Sequence, residues 1–431
     1  MRTQNEIKQI LDSILTKVPG LETQVSYSGE KNLATRFGEN SITQNMGGEV
    51  ENLRILVYKG KRSGSYETNR FDDESLKRLV DIAVAMAEDS PEDPEYVPLP
   101  GPQEYLDMPE GWNDDVVELG PEAIAEDIGK VVSAAKAKGF RASGLFEAQA
   151  EVSAIANTNG LFAYDRSSDV TYSTTVHGPV GSGKAEVSRN SFGEIDIDKM
   201  VQTAITNAEM AQNPADIEPG DYTVIFEPSA MLEFFAFMAW NMGARDADEG
   251  TTVFAGKVGE KLFSDKLNIS LKTDVPELPA PIFGDAGLAV EPRKWIKNGV
   301  LERLRHGRFW AEKKGVEPDP TMFPVFMEGE DNTVDDLVKK CKRGLLVKNL
   351  WYIRYVDRRE LLLTGMTRDG VFLVEDGKIV KPVKNLRWNE SPIVFLNNIV
   401  AMSKPERVGH YAMLPGVMSE GFTFSSKTES L

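Results

Sequence analysis

Residues 217–241 read IEPGDYTVIFEPSAMLEFFAFMAWN, and the character of the chain changes across them. The segment leading in, NPADIEPGD (213–221), is too rich in proline, glycine and acids for a regular element. DYTVIFEP then has the apolar run of a strand, and residues 229–241 (SAMLEFFAFMAWN) are apolar almost all the way round, the pattern of a helix buried on every side. Such a break followed by a fresh apolar start sets a domain boundary near 215.

Downstream of this stretch, LWYIRYV, GVFLVED, GKIVKPV and KNLRWN are short strand-like runs with glycine-containing turns between them. They predict a β-rich domain over 216–431, barrel-like or a sandwich, around the buried helix. Upstream, Ile7, Ile10, Leu11, Ile14, Leu15 and Val18 recur by threes and fours, a helix that Pro19-Gly20 ends. From 22 to 68 the period falls towards two through QVSYS, LATRF, ITQN and LRILVY, with Gly and Asn positions between them read as the turns of an antiparallel meander. Asp72 or Asp73 caps a second helix carrying Leu76, Leu79, Val80, Ala83 and Ala87. Residues 90–115 hold six prolines and read as an ordered connecting loop, after which Pro121 opens a third helix. Strands return in GLFEAQAEVSAIANTNG, LFAYDRSSDVTYSTTV and KAEVSRN, with Asn159-Gly160 as a hairpin turn, and a helix through Met200, Ala204, Ile205 and Ala208 closes this half. The expectation is an α+β protein of two domains, with helices packed on an antiparallel sheet over 1–215 and the β-rich domain over 216–431.

Composition narrows the function classes. Of 431 residues 41% are hydrophobic and 27% charged, with no apolar run near the ~20 residues of a membrane-spanning helix. Lys and Arg number 49 against 67 Asp and Glu, and the resulting charge of −18 repels a phosphate backbone, so direct nucleic-acid binding is not expected. The lone cysteine, Cys341, has no partner for an internal disulfide, and the opening MRTQNEIKQILDSI is amphipathic and charged, which together predict a cytoplasmic protein.

Local motifs are sparse. GPVGSGKA (178–185) approaches a phosphate-binding loop, but Ala185 stands where a Mg²⁺-binding hydroxyl is required and KAEVSRN reads as strand, so a turn between strands is the simpler reading. There is no Gly-x-Ser-x-Gly elbow for a serine hydrolase. Cys341 lies in DDLVKKCKRG, where lysines would lower a thiol pKa, although a surface or packing role suits a single cysteine better. The three histidines, His177, His306 and His410, show no helical pairing; a composite zinc site would have to draw on His306, His410 and Cys341.

The order of segments says more than any one motif. TRFGENSITQN (35–45), RSGSYETNRFDDESLKRLVDIAVAMA (62–87), IEPGDYTVIFEPSAM (217–231), FGDAGLAVEPRKWIKNGVLERL (283–304), LLTGMTRDGVFLVEDGKIVKPVKNLRWNES (362–391) and LNNIVAM (396–402) occur in the sequence of the TldD/TldE (PmbA) family, which the chain resembles over nearly its full length. In that family the catalytic TldD subunit carries a His-Glu-x-x-x-His motif on the helix after the junction. Its histidines bind zinc, its glutamate activates a metal-bound water, and a late cysteine completes the ligand set. Here Ala236 and Asn241 stand at the two histidine positions and Phe237 at the glutamate, and the tail from 409 to 431 has no cysteine.

This departure resembles TldE, the metal-free partner whose heterodimer with TldD cleaves unfolded peptides in an enclosed cavity. The resemblance therefore implies no catalytic residue and no cofactor in this chain, a TldD-like partner, and an extended peptide as the bound substrate, held by addition to a sheet edge. Thr364, Gly365, Arg368, Asp369 and Asn385 are the candidates for peptide or partner contact; turn chemistry around Asp369-Gly370 and Asp376-Gly377 explains the same residues equally well. One alternative is a peptidase in its own right that uses His306, His410 and a carboxylate with zinc. Another, which fits older names for the family, is a regulator of DNA gyrase. Homodimer and heterodimer are left open by the sequence.

Overall fold

The computed structural model describes residues 1–428. The first part runs α1 (Gln4–Leu15), β1 (Glu22–Gly38), β2 (Ser41–Lys59), β3 (Arg62–Thr68), α2 (Asp73–Asp89), α3 (Asp114–Val117), α4 (Pro121–Ala137), β4 (Arg141–Asn157), β5 (Phe162–His177), β6 (Ser182–Arg189) and α5 (Ile197–Met210). Helix starts follow local chemistry. Thr3 and Glu6 form a capping box on α1, and Asp72 accepts the Ser75 N–H on α2. The six strands make one antiparallel sheet in the order β3-β2-β1-β4-β5-β6. One face buries Val25, Tyr27, Leu53, Ile55 and Val57 under α1 and α2, and Phe146, Val170 and Tyr172 under α4 and α5. The alternation of strand side chains leaves the other face polar, with Glu30 directly opposite Glu151 and Ser173 opposite Glu186.

The second part continues with β7 (Gly220–Phe226), α6 (Pro228–Ala239), α7 (Ala244–Asp248), β8 (Ile269–Leu271), β9 (Arg293–Lys297), β10 (Val300–Leu301), α8 (Arg308–Lys314), β11 (Val325–Met327), α9 (Val334–Lys340) and β12 (Arg343–Asp357). Then come β13 (Leu362–Glu375), β14 (Lys378–Pro382), β15 (Leu386–Glu390), α10 (Pro392–Asn397), β16 (Ile399–Val408) and β17 (Ala412–Lys427). The barrel-like expectation has a concrete form. β7 pairs with β12 on one side and β17 on the other, so β17-β15-β13-β12-β7 close into a ring with no free edge. Its core is aromatic, with Phe226 and Phe395 stacked at 4.8 Å and Phe234 edge-on to Trp388 at 5.5 Å.

Three sequence expectations need correction. The meander from 22 to 68 has three strands and not four or more, because Gly29, Gly47 and Gly48 lie inside long extended strands. The tight turn between β1 and β2 is at Glu39-Asn40, both with positive φ. Gly29 pairs with Glu51 within β1, and glycine is needed there because the Tyr27 side chain lies over it, where a Cβ would come within 2.7 Å of the phenolic oxygen. Next, α6 is not buried on every side, since Glu233 reaches solvent and Trp240, just past its end, is 60% exposed. Lastly, the loop over 90–115 gives way to α3 at Asp114. The glycine cluster at 178–185 behaves as expected of a turn: β5 ends at His177, β6 begins at Ser182, and Gly183 and Lys184 are already strand.

Candidate functional site

Helix α6 leaves the barrel strand β7 through Glu227, whose carboxylate meets Lys348 Nζ at 2.5 Å, and Pro228 sets its first turn. Ala230, Met231, Phe234, Phe235 and Met238 anchor it in the barrel core. The positions set against the zinc motif lie at its far end. Ala236 and Phe237 are half-buried, and Phe237 packs its ring on Tyr355 at 5.2 Å and Trp240 at 5.0 Å. Asn241 is fully buried, donating from Nδ2 to the Phe237 carbonyl at 2.7 Å and to the Tyr355 hydroxyl at 2.9 Å. A methyl and a phenyl ring have no donor atom for a metal, and the one amide oxygen left, the buried Asn241 Oδ1, which makes no hydrogen bond to any described residue, does not by itself make a zinc ligand set. These residues do not fit the metal.

The remaining histidines have other roles. His306 Nδ1 donates to the Leu304 carbonyl at 2.8 Å, beside a buried Asp319 that is gripped by Arg303 at 2.9 Å and Arg293 at 3.4 Å. His410 Nδ1 donates to Asp169 at 2.7 Å, and Arg407 meets the same carboxylate at 2.6 Å. This hydrogen bond raises the His410 pKa above its ordinary value. His177 is pushed the other way, chiefly by burial. Cys341 is buried and its thiol is raised by desolvation, so the neighbouring lysines do not activate it. Among the described residues no three of His, Cys, Asp and Glu gather in a way that could hold a metal.

What the fold does assemble is a polar seam between the open face of the first sheet and the barrel. Ser182 Oγ on β6 donates to Asp369 at 2.6 Å, and Lys184 pairs with Glu186 at 2.9 Å. Across from them α6 presents Glu233, the sole charged side chain between Glu227 and Arg245. Part of the Glu233 side chain stays open to solvent, but the two walls crowd its carboxyl enough to desolvate it; Lys184 counters this, Glu186 adds to it, and the balance pushes the pKa up to about 7. Further along the seam a cavity of about 640 Å³ runs past Glu151, Asp165, Asp169, Arg407 and His410. Burial raises Asp165 to about 6, and desolvation together with the facing Glu30 raises Glu151.

The sequence-picked contact residues divide. Arg368 and Asp369 reach the seam, where Arg368 Nε is 3.7 Å from the Asp369 carboxylate and its guanidinium covers Trp351 at 4.2 Å. Asp369-Gly370 is a bulge within β13, with positive φ at both residues, whereas Asp376-Gly377 is the hairpin turn into β14. Asn385 lines a neighbouring cavity of about 560 Å³ with Asp369 and accepts from Thr367 Oγ1 at 3.3 Å. Thr364 and Gly365 serve the barrel: Thr364 Oγ1 donates to the Trp388 carbonyl at 3.0 Å, and a Cβ on Gly365 would lie 2.4 Å from the Trp388 ring. Sequence reading missed Glu233, Glu186 and Asp169, and set Lys184 aside as part of a turn between strands. A lone carboxylate on an apolar helix was the available signal for Glu233; the others are joined by strand pairing that no local pattern announces.

Models of the PmbA/TldA metallopeptidase match the chain in three parts, domain 1 over residues 24–87, the central domain over 114–212 and the C-terminal domain over 219–426. The metalloprotease PmbA of Escherichia coli O157:H7 is 22% identical over 403 residues, which cover 89% of this chain and 87% of the relative. Among solved structures, TldE from Thermococcus kodakarensis aligns with a TM-score of 0.89 at 19% identity, over 97% of this chain and 99% of its own. A candidate modulator of a DNA gyrase from Thermotoga maritima aligns at 0.87 and 18% identity, over 98% and 100%. At these identities the structural likenesses speak to the fold.

Proposed function

The chain belongs to the PmbA/TldD metallopeptidase family, and we propose that within it this protein is the TldE-like subunit, which lacks zinc and completes the peptide chamber of a TldD-like catalytic partner. The observation that carries this reading is the end of α6. Ala236, Phe237 and Asn241 offer no metal ligand set, and Asn241 is instead tied into the protein through Phe237 and Tyr355.

The seam supports a binding role. Glu233, Lys184, Glu186 and Arg368 give it both signs of charge, and groups of this kind hold the backbone ends and polar side chains of an extended peptide without performing chemistry on it. Peptide bond hydrolysis is then the work of the partner's metal. A nucleic-acid role draws no support from a net charge of −18.

The test is co-expression with a TldD-type protein from the same cell and purification through a tag on one of them. The expected result is a stable complex of one copy of each. Failure of the two to associate at micromolar concentration sinks the reading.

A further inference from the structure

The cavity of about 640 Å³ beyond Glu233 has a floor and walls from three separate parts of the chain. Its floor is the open face of β4 and β5. Antiparallel pairing sets Ser153 opposite Asp165, Glu151 opposite Ser167 and Gln149 opposite Asp169, so Glu151 lies diagonal to both aspartates on one face. Glu30 of β1 stands directly opposite Glu151. One wall is the segment 107–111, stitched to the floor where the Gly111 carbonyl accepts the Ser168 N–H at 2.8 Å. The other is the segment 279–282 of the barrel half, where the Ile282 N–H donates to the Asp165 carboxylate at 3.2 Å. Met108, Pro279, Pro281 and Ile282 give these walls apolar surface. The volume is that of a small-ligand pocket, typically about 300–1,000 Å³.

The charges in this cavity do not balance. Its three cations are already engaged: Arg166 Nε donates to Glu110 at 2.9 Å, and Asp169 takes both Arg407 and His410. Three lining carboxylates, Asp107, Glu151 and Asp165, form no ion pair with any described residue. Asp165 is held by the backbone N–H groups of Arg166 and Ile282, and Glu151 by the Gln149 amide. Like charges gathered on a crowded face destabilise a fold, a cost that persists at sites whose counter-charge comes with the ligand. That counter-charge is not a metal ion, since no three ligating groups converge among the described residues. A cationic head on an apolar stem fits both surfaces, the head between Glu151 and Asp165 and the methylenes against the proline-rich wall. Asp165 is half-buried and Glu151 exposed, so the head passes Glu151 on its way in.

We infer that this cavity binds an ammonium or guanidinium group carried on an apolar stem, the chemistry shared by a lysine or arginine side chain and a free polyamine, with Asp165 and Glu151 receiving the charge. The inference concerns this cavity alone and does not rest on the subunit reading above.

The experiment is isothermal titration calorimetry of the full chain with Nα-acetyl-lysinamide, Nα-acetyl-argininamide, spermidine and Nα-acetyl-norleucinamide, the last keeping the stem without the charge. The expected result is saturable binding of a cationic probe at one site per chain and none of the norleucine compound. Asp165→Asn and Glu151→Gln each weaken that binding about tenfold or more, whereas Glu328→Gln, which removes an exposed charge elsewhere, leaves it unchanged. Both cavity variants relieve a crowded carboxyl and so melt no lower than wild type, which separates lost binding from lost folding. Tighter binding of spermidine than of the two amides assigns a free polyamine, and the reverse assigns a peptide side chain; each bears out recognition of the cation. No saturable binding up to about 10 mM, equal binding of the norleucine compound, or cavity variants that bind like wild type each overturn the inference.

Discussion

Glu233 carries the most informative charge in the molecule. Its folded-state pKa of about 7 lies above the ordinary 4.5, so the folded protein holds a proton that the unfolded chain has released between those values. Stability from this group is therefore full below the ordinary pKa and is lost as pH rises through about 7. Glu233→Gln removes the titration. The variant should melt higher than wild type at about pH 8 and show little gain at about pH 5, as read by thermal unfolding at both values. Equal shifts at the two pH values would mean that the carboxyl is not desolvated. At this scale the sequence was partly legible. The loss of ligands at Ala236, Phe237 and Asn241 was plain from residue identity alone, but the importance of Glu233 depends on walls contributed by strands some fifty residues upstream and more than a hundred downstream.

Elements were read best where one face meets a core. The helices at α1, α2, α4 and α5 follow their apolar spacing, because a helix packed on one side of a sheet must show that period. Glycine misled the reading, since in this protein it often marks close approach in place of a turn. Gly183 is the clear case. It lies in β6 beneath α5, where a Cβ would come within 2.2 Å of the Ala208 nitrogen. Gly183→Ala should therefore lift the helix and cost about 1–3 kcal/mol in denaturant unfolding. Gly48→Ala, with open space around it, should cost well under that. A Gly183 variant of unchanged stability would contradict this packing. The exposed end of α6 was hidden for a related reason: composition reports that a helix is apolar but not which of its apolar side chains the fold leaves uncovered.

At the scale of the molecule, the two sheets are tied by charge as well as by packing. Asp169 on the first sheet holds both Arg407 on β16, whose side chain is 5% exposed, and His410 in the turn between β16 and β17. Removing the carboxylate in Asp169→Ala strands a buried guanidinium and should cost about 3 kcal/mol, more than the loss of a surface pair. The His410 part depends on pH. Its raised pKa means that the histidine stabilises fully below its unfolded pKa, and that this contribution fades as pH rises through the folded value. The stability difference between wild type and His410→Gln should thus be larger at about pH 6 than at about pH 9, and a difference that grows with pH would contradict the assignment. None of these links was visible in the sequence, because Asp169 and Arg407 are 238 positions apart. The central claim is that this subunit binds and does not catalyse. It is tested most directly by transition-metal mass spectrometry and peptide cleavage on the chelator-free chain, alone and then with a TldD-type partner. The account predicts no stoichiometric metal and no cleavage alone, with about one zinc per complex and cleavage once the partner is supplied. About one zinc per chain with chelator-sensitive cleavage by the chain alone would contradict it.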